Sequence, residues 1–325
     1  MHTEPKMGLG SWAIGGPFYA PDGRAVGWGE VDDAASRRAI AAAVANGITL
    51  FDTAQAYGTG HSEEVLGQAL SKHPDVQIVT KVGLGIDPST QHITGAITDP
   101  TAIRTSLADS RRRLRRDRID VVLLHLNELP PDEAAPIFEA LEAETSSGTL
   151  GHYGWSTDFP NHASAFAGRA RFVAVEFAMN IFFRATAMTE AATDEGLLPL
   201  IRSPLAMGVL GGRYDAGHRF GDDDVRGTDE DWKTYFKGGR ISPTHLAQLE
   251  AVREILRSDG RSLAQGALGW IWGRNPAAVP IPGFRTPEQV EDLCGALAHG
   301  ALPPAAMDEI ERLIERAPEG PPRAR

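Results

Sequence analysis

Eight short apolar runs, each followed by a longer segment, constrain this chain more than any other feature. The runs are Met7–Ser11, Ile48–Asp52, Gln77–Val82, Asp120–His125, His152–Ser156, Val173–Ala178, Leu198–Ser203 and Ala278–Pro282. Several are rich in Val and Ile and poor in charge, as parallel strands covered on both faces must be. Between them the sequence predicts helices over Asp132–Ser146, Thr186–Glu195, Pro243–Leu256, Ser262–Trp272 and Pro287–Leu297. Asp32 or Asp33 caps another that runs to Ala45, with Gly47 just beyond its end. Asp99-Pro100 opens one more, with Ile103, Leu107, Ser110 and Leu114 on a common face. Strands and helices alternating in this order form βα units around a parallel sheet. Eight such strands in 325 residues fit an α/β fold of the (β/α)8 TIM-barrel type better than an open sheet. No linker divides the chain, so residues 1–325 read as a single barrel domain.

Long loops belong to the end of such a barrel where the strands finish. Gly211–Ile241, rich in Gly and Asp and carrying Trp232, Tyr235 and Phe236, follows the seventh strand and is expected to cover the active-site face. Phe18–Glu30 follows the first strand and is expected to do the same. The Pro-rich tail, Ala317–Arg325, is expected to be frayed.

The formal net charge of −11 argues against nucleic acid as a partner, because phosphate binding needs an excess of Lys and Arg. The basic run Arg111-Arg112-Arg113-Leu114-Arg115-Arg116 sits at a helix end, where cations suit the dipole, and reads as solvated. Asp222-Asp223-Asp224 reads as a solvated loop. Cys294 is the only cysteine, which excludes an internal disulfide and a thiolate metal cluster. No paired-Cys or H-E-x-x-H motif appears, so no metal is expected. Met1–Lys6 has no apolar signal-peptide core, and no run is long enough to span a membrane. A cytoplasmic location and no membrane partner are expected; the oligomeric state is unreadable.

Four ionisable residues fall at the ends of consecutive strands. Asp52 ends the second and Tyr57 lies just beyond it; Lys81 ends the third and His125 the fourth. Singly, an Asp after a strand is usually a turn residue and a Lys is usually solvated. Together, at strand ends that converge on one barrel mouth, they suit proton transfer to a carbonyl oxygen. Lys81 would lower the pKa of the Tyr57 phenol, Asp52 would fix Lys81, and His125 would polarise the carbonyl. Gly8-Leu9-Gly10-Ser11-Trp12-Ala13 loosely matches a dinucleotide fingerprint, but Ile14-Gly15-Gly16-Pro17 cannot open the helix that fingerprint needs.

The segment Asp52–Gly67, Thr80-Lys81-Val82 and Leu124-His125-Leu126 closely resemble three motifs of the aldo-keto reductases, in order and spacing. The resemblance runs from Leu9-Gly10 to Pro287 and beyond. It implies a tetrad of Asp52, Tyr57, Lys81 and His125, with Tyr57 as proton donor to an aldehyde or ketone, and NADPH as hydride source. It places Ser156, Thr157 and Glu176 at the nicotinamide, where the family has Ser, Asn and Gln. It puts Arg202 where an aromatic residue usually stacks, followed by Ser203, Pro204, Leu205 and Gly208 in a loop suited to the pyrophosphate. Gly283, Arg285, Gln289 and Asp292 fall in the adenosine 2′-phosphate region, at a helix N-terminus. Leu293 stands in place of the family's adenine-contacting Asn. Trp12, Phe18, Trp28, Leu126 and Asn127 are expected as walls of the substrate pocket. The family's N-terminal hairpin is expected to be shortened, since few residues precede the first strand. Two other readings stay open: an NADPH-binding redox-sensing regulatory subunit, and a barrel isomerase or lyase using Lys81.

Overall fold

The computed structural model describes residues 6–230, 232–316 and 318–319. Its eight parallel strands are β1 (Leu9–Gly10), β2 (Leu50–Asp52), β3 (Gln77–Val82), β4 (Ile119–Leu124), β5 (Leu150–Ser156), β6 (Phe172–Ala178), β7 (Leu198–Arg202) and β8 (Val279–Pro280). Each pairs with its neighbour in sequence, and Gly8 N and Gly10 N donate to the carbonyls of Pro280 and Pro282 at 3.1 and 2.9 Å. That contact joins first strand to last and makes the sheet a barrel.

Helices α1 (Asp33–Ala45), α2 (His61–Ala69), α3 (Pro100–Leu114), α4 (Pro131–Ser147), α5 (Pro160–Phe166), α6 (Thr186–Asp194), α7 (Pro243–Leu256), α8 (Leu263–Arg274), α9 (Pro287–His299) and α10 (Pro304–Leu313) surround it. Their starts follow local chemistry. Asp32 accepts from Ala34 N and Ala35 N, and Asp99 from Ala102 N ahead of Pro100. Ser262 and Thr286 close capping boxes with Gln265 and Gln289. Ile103, Leu107, Ser110 and Leu114 share the buried face of α3, as their spacing requires.

Helix α2 begins at His61, directly after left-handed Gly60. Helices α5 and α10, and a hairpin of Leu84–Asp87 with His92–Ala96, were not predicted from the sequence. Glu319 corrects the expectation of a frayed tail at one point: its carboxylate accepts from Thr186 N at 2.7 Å. The rest of that expectation, from residue 320 onward, and that of a shortened hairpin and a missing signal segment at Met1–Pro5, lie outside the described residues.

Two apolar layers hold the barrel. Most of the core lies between sheet and helices, while Val79, Leu123, Ala174, Leu200 and Val279 fill the inside. Side chains alternate along a strand, so the residue two steps on from each inner one also points inward. Those residues are Lys81, His125, Glu176, Arg202 and Ile281, and Asp52 stands likewise two beyond Leu50. The barrel is plugged with hydrocarbon below and lined with ionisable groups at the mouth.

Candidate active site

Two glycines let the site form. Gly154 sits one step inside Ser156, where a Cβ would lie 2.0 Å from the Ala174 carbonyl oxygen. Gly58, with φ of 61°, follows Tyr57 in the turn after β2, and a Cβ there would meet the Gly15 carbonyl oxygen at 1.8 Å. The turn therefore packs against the β1 loop and swings Tyr57 over the mouth.

At the centre, Lys81 Nζ donates to both carboxylate oxygens of Asp52 at 2.6 and 2.7 Å, to the Thr53 carbonyl at 3.1 Å and to the Tyr57 hydroxyl at 3.3 Å. Glu176 Oε2 lies 3.2 Å from the same nitrogen, and Ser156 donates to Oε1 at 3.0 Å. Lys81, Asp52 and Glu176 are 0, 3 and 1% exposed. Tyr57 and His125 keep a partly exposed edge, with ring centroids 6.0 Å apart. Trp12 stacks on Tyr57 at 5.9 Å and meets Trp28 edge-on at 5.3 Å. The structure thus brings the four expected tetrad residues together and sets Trp12 and Trp28 beside them.

Burial pushes the Tyr57 phenol above its ordinary range; Lys81 opposes the rise, while Asp52 and Glu176 add to it. The expected lowering by Lys81 is present, but desolvation and two carboxylates outweigh it. Burial alone would lower the Lys81 ammonium, but Asp52 and Glu176 more than offset it and hold the proton firmly. The Asp52 carboxyl is pushed well up, by burial and then by Glu176, against the pull of Lys81. Burial, with the cations Lys81 and Arg202, pushes the His125 imidazole down to about 3, so this ring is neutral.

Four buried polar atoms in this region have no hydrogen-bond partner among the described residues: Trp28 Nε1, His125 Nδ1, Glu176 Oε2 and Arg202 Nε. Orphaned polar atoms gathered at a mouth fit a polar ligand. Next to them Ser203, Ala206 and Met207 hold left-handed backbone at φ of 51, 48 and 54°, alongside Gly208 at 98°. This left-handed turn, built partly from non-glycine residues, is closed by Ala206 N donating to the Ser203 carbonyl at 3.0 Å and Gly208 N to that of Leu205 at 2.9 Å. Pro204 is buried and Leu205 half-buried within it, and Asn180 ties it down by donating to the Ser203 carbonyl at 3.0 Å.

Several expected site residues are engaged elsewhere. Thr157 is fully buried, donates to the Asn127 carbonyl at 2.8 Å and accepts from Phe159 N. Asn127 accepts from Asp158 N, so the two residues pin loops together. Arg202 is not free to stack: it grips Asp158, with Nη2 2.7 and 2.6 Å from the two oxygens. Arg285 donates to the carbonyls of Trp28 and Glu30. Gln289 serves the α9 capping box and accepts from Arg285 N at 2.8 Å, and Asp292 accepts from Gln265. Phe18 is 3% exposed.

The long loop after β7 does lie over this face. Val225 N donates to the Gly27 carbonyl at 2.7 Å, and Arg226, paired with Asp224 at 2.6 Å, covers the Trp28 ring at 4.4 Å. Asp224 is thus structural, contrary to its reading as solvated. The basic run is corrected too. Arg113 meets the fully buried Glu63 at 2.6 Å, and Arg116 donates to carbonyls between Leu70 and Val76. Glu63 also accepts from Thr80 at 2.6 Å, beside Lys81. Ser62 links Ser11 and Thr53 by hydroxyl contacts of 2.7 and 3.0 Å, and Ser11 donates to the Asp52 carbonyl. Asp158 and Asn180 carry no motif, and only their tertiary partners reveal them; Glu63, inside the Asp52–Gly67 segment, and Arg113, inside the basic run, acquire their roles only by pairing with each other.

A family model described as "Aldo/keto reductase family" matches residues 6–315. The chain is 30% identical over 299 residues to aldo-keto reductase YhdN of Bacillus subtilis, covering 89% of this chain and 83% of that one. It is 27% identical over 309 residues to an NADH-specific methylglyoxal reductase of Escherichia coli, covering 91 and 90%. Among solved structures it superposes on the glycerol dehydrogenase AKR11B4 of Gluconobacter oxydans with a TM-score of 0.78 and 28% identity, over 94 and 90% of the two chains.

Proposed function

Because the chain belongs to the aldo/keto reductase family, we propose that it reduces an aldehyde or ketone to an alcohol, with NADPH as cofactor and Tyr57 as proton donor. The observation that carries this reading is the contact between Lys81 Nζ and the Tyr57 hydroxyl at 3.3 Å. Lys81 donates in that contact, so the phenol hydrogen is free to point at a substrate oxygen. The reduced nicotinamide, when bound, supplies the hydride to the carbonyl carbon. As charge gathers on the carbonyl oxygen, Tyr57 passes its proton to it, and Lys81 stabilises the phenolate left behind. His125, being neutral, offers one N–H to the same oxygen. Trp12 and Trp28 exclude water from the transfer.

Ser156, Glu176 and Arg202 would face the nicotinamide, with Thr157 holding the loop behind them. Ser203, Pro204, Leu205 and Gly208 would cradle the pyrophosphate. Gly283 leaves room beside the strand: a Cβ there meets its first neighbour only at 3.8 Å. Arg285, at the head of α9, would take the adenosine 2′-phosphate by exchanging its carbonyl partners for it, with Gln289 and Asp292 supporting that turn and helix.

The test is cofactor oxidation with a panel of aldehydes and ketones, using NADPH and NADH in parallel, for wild type and Tyr57→Phe. Turnover should fall by about 10²–10⁴ in the variant while cofactor binding, followed by fluorescence, is retained. Undiminished turnover in the variant would sink the assignment. Binding without oxidation by any substrate would instead mark a redox-sensing subunit.

A further inference from the structure

An ammonium has three hydrogens. Those of Lys81 are taken by Asp52, the Thr53 carbonyl and the Tyr57 hydroxyl. Glu176 Oε2 approaches the same nitrogen to 3.2 Å and receives no hydrogen bond, whereas Oε1 is served by Ser156. Fully ionised, this cluster would bury two carboxylates against one ammonium and leave one carboxylate oxygen without a donor. Both conditions are costly in a site this dry.

We propose that Asp52 and Glu176 share one proton beside Lys81, and that Glu176 is thereby a positioning residue that keeps Tyr57 in its phenol form as pH rises. The second part rests on the reading of Tyr57 as proton donor. Other groups facing the cluster leave its charge unchanged: His125, just beyond β4, is neutral, Ser156 on β5 is uncharged, and Arg202 on β7 is matched by Asp158. One added proton therefore brings Asp52, Glu176 and Lys81 to neutrality. The carboxyls of Asp52 and Glu176 close on the same Lys81 nitrogen, at 2.6 and 3.2 Å, and Asp52 is held well above the ordinary carboxyl range, by burial first and by Glu176 second. The proton belongs to the pair rather than to either residue. When it leaves, the cluster gains a negative charge that opposes ionisation of Tyr57. With a Gln at this position that charge never appears.

Infrared absorption of the cofactor-free protein reads the proton directly. At neutral pH the wild type should show the carbonyl stretch of a buried, protonated carboxylic acid, lost in Glu176→Gln and in Asp52→Asn. Carbon-13 labelling of glutamate or aspartate carboxyls should shift this band in the wild type, whether or not the variants fold. Absence of the band in wild type, or its persistence in both folded variants, or no shift with either label, overturns the proposal. The pH profile of carbonyl reduction gives the second readout. In Glu176→Gln the alkaline limb should move down by about one pH unit, whereas a purely structural role would lower the rate evenly across pH. The infrared result stands whether or not the protein reduces carbonyls, so the two readings fail separately.

Discussion

Arg285, at the head of α9, donates to the main-chain carbonyl of Trp28 at 3.2 Å, tying the loop after β8 to the loop that lines the mouth. Trp28 in turn meets Trp12, and Trp12 stacks on Tyr57. Arg285 is thus linked to Tyr57 through two aromatic contacts.

Arg285→Ala should raise the KM for NADPH several-fold more than that for NADH, because only NADPH carries the extra phosphate. Steady-state kinetics with both cofactors checks this. An unchanged ratio removes Arg285 from the phosphate site and leaves it as a loop tether.

Lys81→Met strands Asp52 and Glu176 without a cation at 3 and 1% exposure. Breaking a buried ion pair on one side costs about 3–5 kcal/mol. Urea unfolding should show this loss, and it should grow as pH rises above the ordinary carboxyl range, where the unfolded state releases protons that the buried pair must keep.

His125 sets a different pH dependence. Folded, it takes a proton only at about 3; unfolded, it does so near its ordinary value. Between those limits the unfolded state binds more protons, so His125 costs stability as pH falls. His125→Gln should make the loss between about pH 6 and pH 4 smaller by roughly 1 kcal/mol, a figure discounted for the partly exposed ring. Parallel urea titrations at the two pH values measure it.

Arg113→Ala leaves Glu63 buried and unpaired, and should destabilise the fold by about 3–5 kcal/mol. Adding Glu63→Gln to that variant should recover much of the loss, since the uncompensated charge is then gone. Thermal melts of the single and double variants decide.

The eight strands were legible because a strand buried on both faces must be apolar along its length, and Val121-Val122-Leu123-Leu124 has no other comfortable reading. Asp52, Lys81 and His125 were legible because each breaks such a run at its end. What escaped depends on partners far off in sequence. Glu63 shows its role only when Arg113, 50 residues on, is packed against it. Arg202 reads as a free guanidinium until Asp158 grips it, and Gln289 as a ligand until its capping box forms. The pKa of Tyr57 was misjudged for a related reason: sequence displays Lys81 nearby but not the depth of burial, nor the second carboxylate at Glu176.

The inward alternation along the strands has an evolutionary corollary. Lys81, His125, Glu176 and Arg202 each stand one pleat above a hydrocarbon layer, on a strand or at its end. Exchanging the side chain at one strand end, as Glu or Arg for a neutral residue, rewrites the chemistry of the rim while the foundation below is left intact. A one-residue insertion within a strand does the reverse, turning its rim group toward the helices and its helix-facing hydrocarbon toward the substrate. Such a barrel varies more readily by replacement at its strand ends, provided no buried charge is left without its partner, than by changes of length below them.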